Sequence, residues 1–262
     1  RKTWVDNSNE NGNRPDHIVI IVEGRDSDEI VLITRKVTIN EIADDVWNYT
    51  IDNLPTYKNQ KLLTYSVKEE NVAGYSTSYS SGTYDITNTE GKKTVEGTKT
   101  WVDELDSTNR PEEITIVLTG KATDYEKTYE VTITGDTSEW TYSFTNLPKY
   151  HNHEEIVYTV SEINVPEYDS SVDENNSNNL INTLVTIDVS GTKTWNDNDD
   201  EYGNRPNEIT VVLTGIATDY EKTYEVTITG DTNEWSYSFT NLPKYHNHEE
   251  IVYTVSEVSV NG

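Results

Sequence analysis

A set of short segments recurs three times in the same order along the chain, and this repeat constrains the fold more than any other feature. The period is about 95 residues, which is too long for one solenoid unit and fits a small sandwich domain. We therefore expect three tandem domains, residues 1–91, 92–186 and 187–262, instead of one large core. The recurring segments are Lys2-Thr3-Trp4, Lys99-Thr100-Trp101 and Lys193-Thr194-Trp195; Asn13-Arg14-Pro15, Asn109-Arg110-Pro111 and Asn204-Arg205-Pro206; and Asn53-Leu54-Pro55, Asn146-Leu147-Pro148 and Asn241-Leu242-Pro243.

The composition is that of a folded chain built from strands. Hydrophobic residues make up only 33% of the sequence, but 18 Tyr and 6 Trp are too many for a disordered chain. The aromatic residues, Val, Ile and Thr favour strands, and long runs of helix-forming residues are absent. The sequence contains no Cys, which excludes disulfides and thiolate metal sites.

The formal net charge of −27 bears on possible partners. Such a surface repels nucleic acid and anionic membrane, so we expect neither as a partner, and its simplest role is solvation. No apolar run reaches membrane-spanning length, and no signal peptide or wall anchor is visible. If the parent protein is exported, we expect those signals to lie outside this sequence.

Short alternating segments separated by turn-rich stretches make up each copy. Ile114, Ile116 and Leu118, for example, share one strand face. Turns are predicted at Gly135-Asp136 and at Asn146-Leu147-Pro148. The strands predicted in the second copy are 94–102, 112–119, 127–134, 139–146, 155–163 and a last one near 180–186. Because no window has a helical period, the chain is predicted to be all-β, with antiparallel sandwiches.

Strand alternation also places three kinds of polar side chain on inward faces. In the second copy, Lys99 shares the face of Val95 and Trp101, and Glu162 follows in phase with inward Ile156, Tyr158 and Val160. In the first copy, Tyr84 and Ile86 are in phase with an asparagine of the last strand. The inward polar residues are Lys2, Glu69 and Asn88 in the first repeat, Lys99, Glu162 and Asn182 in the second, and Lys193 and Glu257 in the third.

Two explanations account for such costly burial. The first is structural: a buried Lys–Glu ion pair with a hydrogen-bonded Asn, or side chains that reach solvent at strand ends. The second is chemical: a desolvated, neutral Lys attacks the Asn side-chain carbonyl, and a protonated Glu stabilises the oxyanion and shuttles protons as ammonia leaves. The product is a Lys–Asn isopeptide crosslink. The alternation of side chains along the strands does not by itself decide between the two explanations.

The ordered motifs resemble a known family. Gly-Thr-Lys-Thr-Trp, Asn-Arg-Pro, Trp-x-Tyr-x-Phe-x-Asn-Leu-Pro-Lys-Tyr, Tyr-Thr-Val-Ser-Glu and Ile-Thr-Asn-Thr together resemble the B-type repeat domain of bacterial collagen adhesins (Cna B-type), over nearly the whole chain. The resemblance implies an inverse Ig-like, prealbumin-like sandwich of the kind found in stalks and pili of Gram-positive surface proteins. It also implies an autocatalytic isopeptide bond between a first-strand Lys and a last-strand Asn, assisted by an acidic residue.

The Lys, Asn and acidic residues that the resemblance implies for the isopeptide site are the same residues that strand alternation places inward. Isopeptide bonds are expected for Lys2 with Asn88 and for Lys99 with Asn182, although Leu-Ile-Asn-Thr departs slightly from Ile-Thr-Asn-Thr. The prediction of the first bond is the weaker of the two, because Lys2 lies one residue from the start of the sequence. The residues expected to assist are Glu69, Glu162 and Glu257.

The third repeat is expected to lack its last strand. Lys193 is then unpaired and Glu257 has no acceptor, so we expect no isopeptide bond there, the lowest stability of the three repeats, and a gap that stays open or is filled by a neighbouring molecule. A bond from Lys193 to Asn261 would contradict this expectation.

Other candidate sites are weaker, and we expect no metal and no cofactor. Asn7, Asn9 and Asn11 resemble the start of a calcium loop, but its twelfth position is Ile18, so an Asx-rich turn is favoured. His151 and His153, with their counterparts in the third repeat, lie in a turn and are not favoured as zinc ligands.

The favoured function is a structural stalk of a cell-wall-anchored adhesin on a Gram-positive bacterium, with further repeats and a distal ligand-binding domain in the same protein. Lys99 lies eleven positions after Asn88, and Lys193 eleven after Asn182, so linkers are short and equal and we expect an elongated, semi-rigid rod. The alternative is that the repeats themselves bind host matrix or neighbouring cells. An enzyme is not expected, because no open polar constellation is visible.

Overall fold

The fold is described from a computed structural model over residues 1–42 and 44–258. This part of the chain consists of strands, turns and one short 3-10 helix, Ser107–Asn109. The strands of the first repeat are β1 (Lys2–Val5), β2 (His17–Arg25), β3 (Val31–Asn40), β4 (Val46–Trp47), β5 (Tyr57–Lys58), β6 (Lys61–Leu62), β7 (Thr64–Glu69), β8 (Tyr75–Tyr79) and β9 (Ile86–Glu90).

The second repeat reproduces this order of strands, and the described residues of the third reproduce its first seven. The second contains β10 (Lys92–Val102), β11 (Glu113–Ala122), β12 (Tyr125–Thr134), β13 (Glu139–Pro148), β14 (Tyr150–His151), β15 (Glu154–Glu155), β16 (Val157–Glu162), β17 (Tyr168–Asp173) and β18 (Asn176–Leu184). The third contains β19 (Thr186–Thr194), β20 (Ile209–Ala217), β21 (Tyr220–Ile228), β22 (Glu234–Pro243), β23 (Tyr245–His246), β24 (Glu249–Glu250) and β25 (Val252–Glu257).

The chain forms two compact units. The first consists of Arg1–Val95, Leu118–Tyr129 and Ser143–Thr159; the second consists of Glu96–Val117, Glu130–Tyr142 and Val160–Gly262. Each unit therefore contains one junction between successive repeats. At these junctions a single residue, Gly91 or Val185, separates the last strand of one repeat from the first strand of the next, as the strand-like linkers predict.

Each repeat is built from two main sheets and one small two-stranded sheet, which is β5-β6, β14-β15 or β23-β24. In the first repeat the sheet orders are β4-β1-β9-β8 and β3-β2-β7, and in the second they are β13-β10-β18-β17 and β12-β11-β16. In the third, the described residues form β19-β22 and β21-β20-β25. β1 pairs with β9 in parallel, and β10 pairs with β18 in parallel, whereas the other sheet neighbours with a described register are antiparallel. The tandem β-sandwich fold is thus confirmed.

Alternating side chains build the core between the two sheets. Along β2, Ile18, Ile20 and Val22 are buried while their neighbours are more exposed. They pack with Trp4 and Trp47 of the opposite sheet, whose rings meet edge to face at 5.1 Å. The third repeat has a matching core of buried residues, Ile209, Val211, Leu213, Ile228, Trp235, Phe239 and Leu242.

The Arg of each Asn-Arg-Pro motif fastens the loop after the first strand to that core. Arg14 donates two hydrogen bonds to Asp6, at 2.7 and 2.5 Å, and its guanidinium lies 5.5 Å from the Trp4 ring. Arg110 with Asp103 and Trp101, and Arg205 with Asp197 and Trp195, repeat this arrangement. The recurrence of the motif thus has a structural cause.

Two strand predictions need correction. An edge strand, β17, was not predicted, because Tyr168–Asp173 buries only its first residue and so has no alternating pattern. Asn146-Leu147-Pro148 is not a turn: β13 runs through it to Pro148, and Asn146 adopts a left-handed φ of 57° within the strand. Asn tolerates this conformation better than other non-Gly residues, which is why an Asn-containing motif resembles a turn.

No helix in the described part of the chain is long and apolar enough to cross a membrane.

Candidate functional site

In the first repeat, strand order brings the predicted Lys and Glu together inside the sandwich. Lys2 lies on β1 and Glu69 ends β7, on the opposite sheet. The Lys2 Nζ atom is 3.2 Å from Glu69 Oε1 and 3.4 Å from Oε2, and both side chains are fully buried. An ion pair with no solvent contact bears a large desolvation cost.

The second repeat has the same pair. Lys99 of β10 places its Nζ atom 2.9 Å from Oε2 and 3.1 Å from Oε1 of Glu162, which ends β16. The side chains are 0% and 3% exposed. The two repeats therefore hold their Lys–Glu pairs at matching positions and at matching depth.

The parallel pairing of first and last strands adds the asparagine. In the first repeat Trp4 is the register partner of Asn88, and Lys2 is the partner of Ile86, two residues earlier. Because side chains two residues apart share a strand face, Lys2 and Asn88 project into the same side of the sheet from adjacent strands. The second repeat has the same register, with Trp101 opposite Asn182.

Both asparagines are buried without hydrogen bonds. Asn88 and Asn182 are 0% exposed, and neither the Nδ2 nor the Oδ1 atom of either has a hydrogen-bond partner among the described residues. A buried polar group left unsatisfied costs about 1–3 kcal/mol. The structure therefore contains the buried Lys–Glu ion pair of the structural explanation but not the hydrogen-bonded Asn beside it.

A hydroxyl residue that was not predicted completes each site. Thr77 of β8 is the cross-strand partner of Asn88 and donates a 3.2 Å hydrogen bond to Glu69 Oε2. Ser170 of β17 is the partner of Asn182 and donates to Glu162 Oε1 at 2.7 Å. Directly opposite residues have Cβ atoms about 4.5–5.5 Å apart, so each Glu is hydrogen-bonded to the residue that lies across the strand pair from its Asn. Both hydroxyls lie on edge strands, and the shared spacing after Tyr75 and Tyr168 is the one sequence signal for them.

Burial changes the protonation of the lysines. It lowers the pKa of Lys2 to about 8, against the opposing effect of Glu69. Burial likewise lowers the pKa of Lys99, against Glu162. Each ammonium also faces a Trp ring, with Nζ 4.2 Å from the centroid of Trp4 and 5.0 Å from that of Trp101. A lowered pKa increases the neutral, nucleophilic fraction of the amine at ordinary pH.

The third repeat presents its pair differently. Lys193 Nζ lies 2.6 Å from Glu257 Oε2, but the side chains are 25% and 32% exposed. Asn261, the residue whose bonding would contradict the prediction, lies outside the described residues.

Tyr84 is a corrected prediction. Strand phase placed it inward beside Ile86, but it precedes β9 and is 54% exposed. Phase loses its meaning outside a strand, because alternation holds only while the backbone stays extended.

Within the described residues, no group of three or more His, Asp or Glu side chains is arranged to hold a metal ion. Asn9 instead accepts the backbone N–H of Arg14, and Asn11 donates to Glu90. His151 stacks against Tyr125.

Comparison with known proteins places the chain in a family. The family model described as the Cna protein B-type domain matches the chain three times, at residues 1–89, 95–183 and 189–262. A collagen adhesin of Staphylococcus aureus is 32% identical over 98% of the chain. The chain spans 21% of that adhesin's length.

Two solved structures are also similar. The crystal structure of two B repeat units of the collagen binding protein (CNA) of Staphylococcus aureus is 31% identical, with 99% of this chain and 67% of that chain covered and a TM-score of 0.37. The structure of a single B repeat unit of the same protein is 29% identical, with coverages of 70% and 93% and a TM-score of 0.29.

Proposed function

Because the chain belongs to the family of the Cna protein B-type domain, we propose that it is a structural stalk segment of a bacterial surface adhesin, stabilised by intramolecular isopeptide bonds. The observation that carries the crosslink is the buried set of Lys, Glu and unsatisfied Asn, present in two repeats. An orphaned buried amide beside a buried amine is costly as a resting arrangement. It is the expected arrangement of two reactants before they are joined.

The reaction needs no co-reactant. Transfer of a proton from Lys99 to Glu162 within the buried pair leaves a neutral amine and a neutral acid. The Lys99 Nζ atom then attacks Cγ of Asn182, while protonated Glu162 donates to the developing oxyanion. As the Nζ–Cγ bond forms and the Cγ–Nδ2 bond breaks, the amine proton passes through Glu162 to the leaving nitrogen. The products are a secondary amide and ammonia, and the carboxyl group is regenerated.

In the first repeat we assign the same roles to Lys2, Glu69 and Asn88. Thr77 and Ser170 are positioning residues, since each hydroxyl bonds a carboxyl group from the strand position opposite an asparagine. Each domain reacts once, so the chain is not proposed to be an enzyme. Glu257 and Lys193 form an ion pair for which the proposal names no acceptor.

The crosslink suits a load-bearing role. It would join the first strand to the last, which are parallel neighbours, so force applied at the two ends of a domain would pass through a covalent bond. It would also close most of the domain into a covalent loop, and loops of that length stabilise by about 4 kcal/mol in the disulfide case. We therefore assign the segment to the cell-wall-anchored surface of a Gram-positive bacterium, where further repeats and a distal adhesive domain would extend it.

A second candidate function rests on one observation. Residues 120–162 and 215–257 differ at only three positions, and the identity includes exposed loops. Identical surfaces suit multivalent binding of a host matrix protein as well as duplicated spacers. Binding of the isolated chain to a panel of matrix proteins, collagen included, tests this function: saturable binding favours an adhesive module, and none favours a spacer.

Intact-protein mass spectrometry tests the crosslinks. The purified, folded chain should be lighter than its sequence mass by two molecules of ammonia, one for each complete set. Peptide mapping should then recover Lys2 joined to Asn88 and Lys99 joined to Asn182. The full sequence mass in folded protein would refute the proposal.

A further inference from the structure

A tyrosine of the second repeat reaches across the first strand to the last strand. In the sheet order β13-β10-β18-β17, the first strand, β10, lies between β13 and β18. Tyr142 of β13 donates a hydrogen bond from its hydroxyl to the backbone carbonyl of Asn178, which lies on β18. The bond therefore joins two strands that are not neighbours in the sheet.

A glycine in the first strand leaves room for this crossing. A Cβ atom added to Gly97 of β10 would lie 2.6 Å from the Tyr142 hydroxyl oxygen and even closer to the Asn178 carbonyl oxygen. Any other residue at this position would displace the phenol or the last strand, and this explains the glycine of the Gly-Thr-Lys-Thr-Trp motif. In the third repeat, Gly191 is the register partner of Tyr237, and an added Cβ would likewise collide with the hydroxyl.

The first repeat has the same bond at the same place. Tyr49, which follows β4, donates from its hydroxyl to the backbone carbonyl of Tyr84. Tyr84 lies four positions before Asn88, just as Asn178 lies four positions before Asn182. In both repeats a tyrosine thus holds the last strand at the same distance from the buried asparagine.

This place matters because regular pairing between the first and last strands begins at the buried lysine. The register of β10 with β18 starts with Lys99 opposite Leu180. Before that point side chains hold the last strand: Tyr142 bonds its backbone, and Thr98 donates from its N–H and its hydroxyl to Asn179 Oδ1, at 3.1 and 3.2 Å. A strand fixed at this end cannot slide past the lysine, and attack on a carbonyl needs the reacting atoms about 3–3.5 Å apart.

The phenols remain hydrogen-bond donors at ordinary pH. Burial raises the pKa of Tyr142 to about 12, and the charge of Glu162 adds to this effect. Burial also raises the pKa of Tyr49 to about 12, with contributions from Asp85 and Glu69. Each phenol is therefore close enough to the carboxyl group of its site to be influenced by its charge.

We propose that Tyr142, and Tyr49 in the first repeat, are positioning residues of the crosslinking reaction, because they hold the last strand so that its asparagine stays within reach of the lysine. Their hydroxyls bond the strand four residues from the reacting carbonyl, so they move no proton in the reaction. This inference rests on the proposed isopeptide bonds and adds the residues that set the rate at which they form.

The test follows bond formation in newly made, full-length chains. Wild type and Tyr142→Phe, which keeps the ring and removes only the hydroxyl, are produced by cell-free translation and sampled over time. Each sample is denatured in acid, and peptide mapping by mass spectrometry measures the two crosslinks. Brief proteolysis of parallel samples measures the folded fraction.

Tyr158→Phe is the matched control. It removes a bond of the same kind, from the Tyr158 hydroxyl to the carbonyl of Pro148 at 2.8 Å, but this bond ties β16 to β13 and not to the last strand. A loss of stability alone would therefore affect both variants, whereas a loss of positioning would affect only Tyr142→Phe.

In folded Tyr142→Phe chains, the Lys99–Asn182 bond should form at least about tenfold more slowly than in wild type, since a misplacement of about 1 Å can slow a positioned reaction about 100-fold. The Lys2–Asn88 bond of the same chains should keep its wild-type rate. A wild-type rate in Tyr142→Phe, or equal slowing in Tyr158→Phe, overturns the inference and leaves the crosslinks standing. A wild-type chain that forms neither bond refutes the proposed function itself.

If Tyr142→Phe yields no protease-resistant chains, the first repeat decides. Tyr49 is only half-buried, so Tyr49→Phe is the milder change. It should slow the Lys2–Asn88 bond and leave the Lys99–Asn182 bond unchanged, and an unchanged Lys2–Asn88 rate overturns the inference.

Discussion

At the scale of single residues, the chemistry of this chain depends on how completely two lysines are removed from water. Lys2 and Lys99 are 0% exposed, and their partners Glu69 and Glu162 are as deeply buried. Such pairs contribute little to stability on balance, because the Coulombic attraction is offset by the desolvation of both charges. Their value lies in what burial does to the amine, which becomes neutral and nucleophilic more readily than a surface lysine.

Replacing Glu162 by Gln should prevent the Lys99–Asn182 bond, because the amide keeps the shape of the side chain but cannot accept and return a proton. The mass deficit of the chain should fall from two molecules of ammonia to one. The bond between Lys2 and Asn88 serves as the internal control, since Glu162 does not contact it. Recovery of a crosslinked Lys99–Asn182 peptide from this variant would show that the role is assigned wrongly.

An Asn88→Ala variant, which cannot form the first crosslink, should show a stability that depends on the protonation of Lys2. The folded pKa of about 8 lies below the unfolded value of 10.5, so between these pH values the unfolded state binds more protons. The free energy of unfolding should therefore rise with pH across this window, by roughly 3 kcal/mol at most.

Urea unfolding at a series of pH values measures this dependence. The control is Asn88→Ala with Lys2→Met, which carries the other titrating groups but not the buried amine. If the two variants respond equally to pH, Lys2 does not carry the effect.

At the scale of elements, the same loop after the first strand does two things in the first and second repeats. Its Arg ties the loop to the core through an Asp and a Trp, while its Asn faces outward to the turn of the next repeat. Because one motif supplies both side chains, the loop that is held rigidly by its own domain is also the loop that positions the next one. A fixed loop loses little entropy when it binds, so even a few hydrogen bonds suffice.

Gly12 and Gly203, which precede the Asn-Arg-Pro motif in the first and third repeats, give a test of the junction that separates contact from backbone strain. Gly12→Ala and Gly203→Ala introduce the same side chain at nearly the same left-handed φ, so their strain costs are similar. Only the Gly12 variant places a Cβ against Asn152, so only it should also displace the turn. We expect Gly12→Ala to destabilise the chain by about 1–3 kcal/mol more than Gly203→Ala, from the hydrogen bonds lost at the junction.

Hydrogen exchange localises this effect. The backbone amides of Asn152 and His153 should exchange faster in Gly12→Ala and remain unchanged in Gly203→Ala. Equal behaviour of the two variants would mean that the junction contacts contribute nothing measurable.

At the scale of the whole molecule, a strongly acidic chain without disulfides must hold tandem domains together, each with a small core. Domains of about 95 residues bury a modest fraction of their surface, so each has limited intrinsic stability. Like charges add repulsion to every compact state of such a chain. A covalent link within a domain counters both effects without enlarging the core.

The double variant Glu69→Gln with Glu162→Gln should lose both crosslinks, melt at a lower temperature than wild type and become more susceptible to protease. Removal of each link should lower the free energy of unfolding of its own domain by about 4 kcal/mol, by analogy with disulfide loops of similar length. Calorimetry combined with limited proteolysis checks this, and Glu154→Gln, an exposed change, is the control. If the double variant has the full sequence mass but melts like wild type, the crosslinks do not contribute to stability.

Much of the molecule follows from local pattern. The recurrence of Lys-Thr-Trp and Asn-Arg-Pro defines the repeats, and alternation along strands places Lys99 on the face of Val95 and Trp101, all of which the structure buries. Local pattern suffices here because the two-residue period of a strand fixes which side chains share a face, whatever the strand pairs with. It fails for Tyr168–Asp173, because an edge strand exposed on both faces has no alternation to read.

Contacts between distant segments were decided only by the tertiary structure. The parallel register of β1 with β9 brings Lys2 to Asn88, and the pairing of β8 with β9 brings Thr77 to the same site. The junction contact joins Asn13 to Tyr150, 137 positions further along the chain. No local periodicity encodes such a pairing, because it depends on which strands become neighbours and in what register, and that is set by the packing of both sheets together.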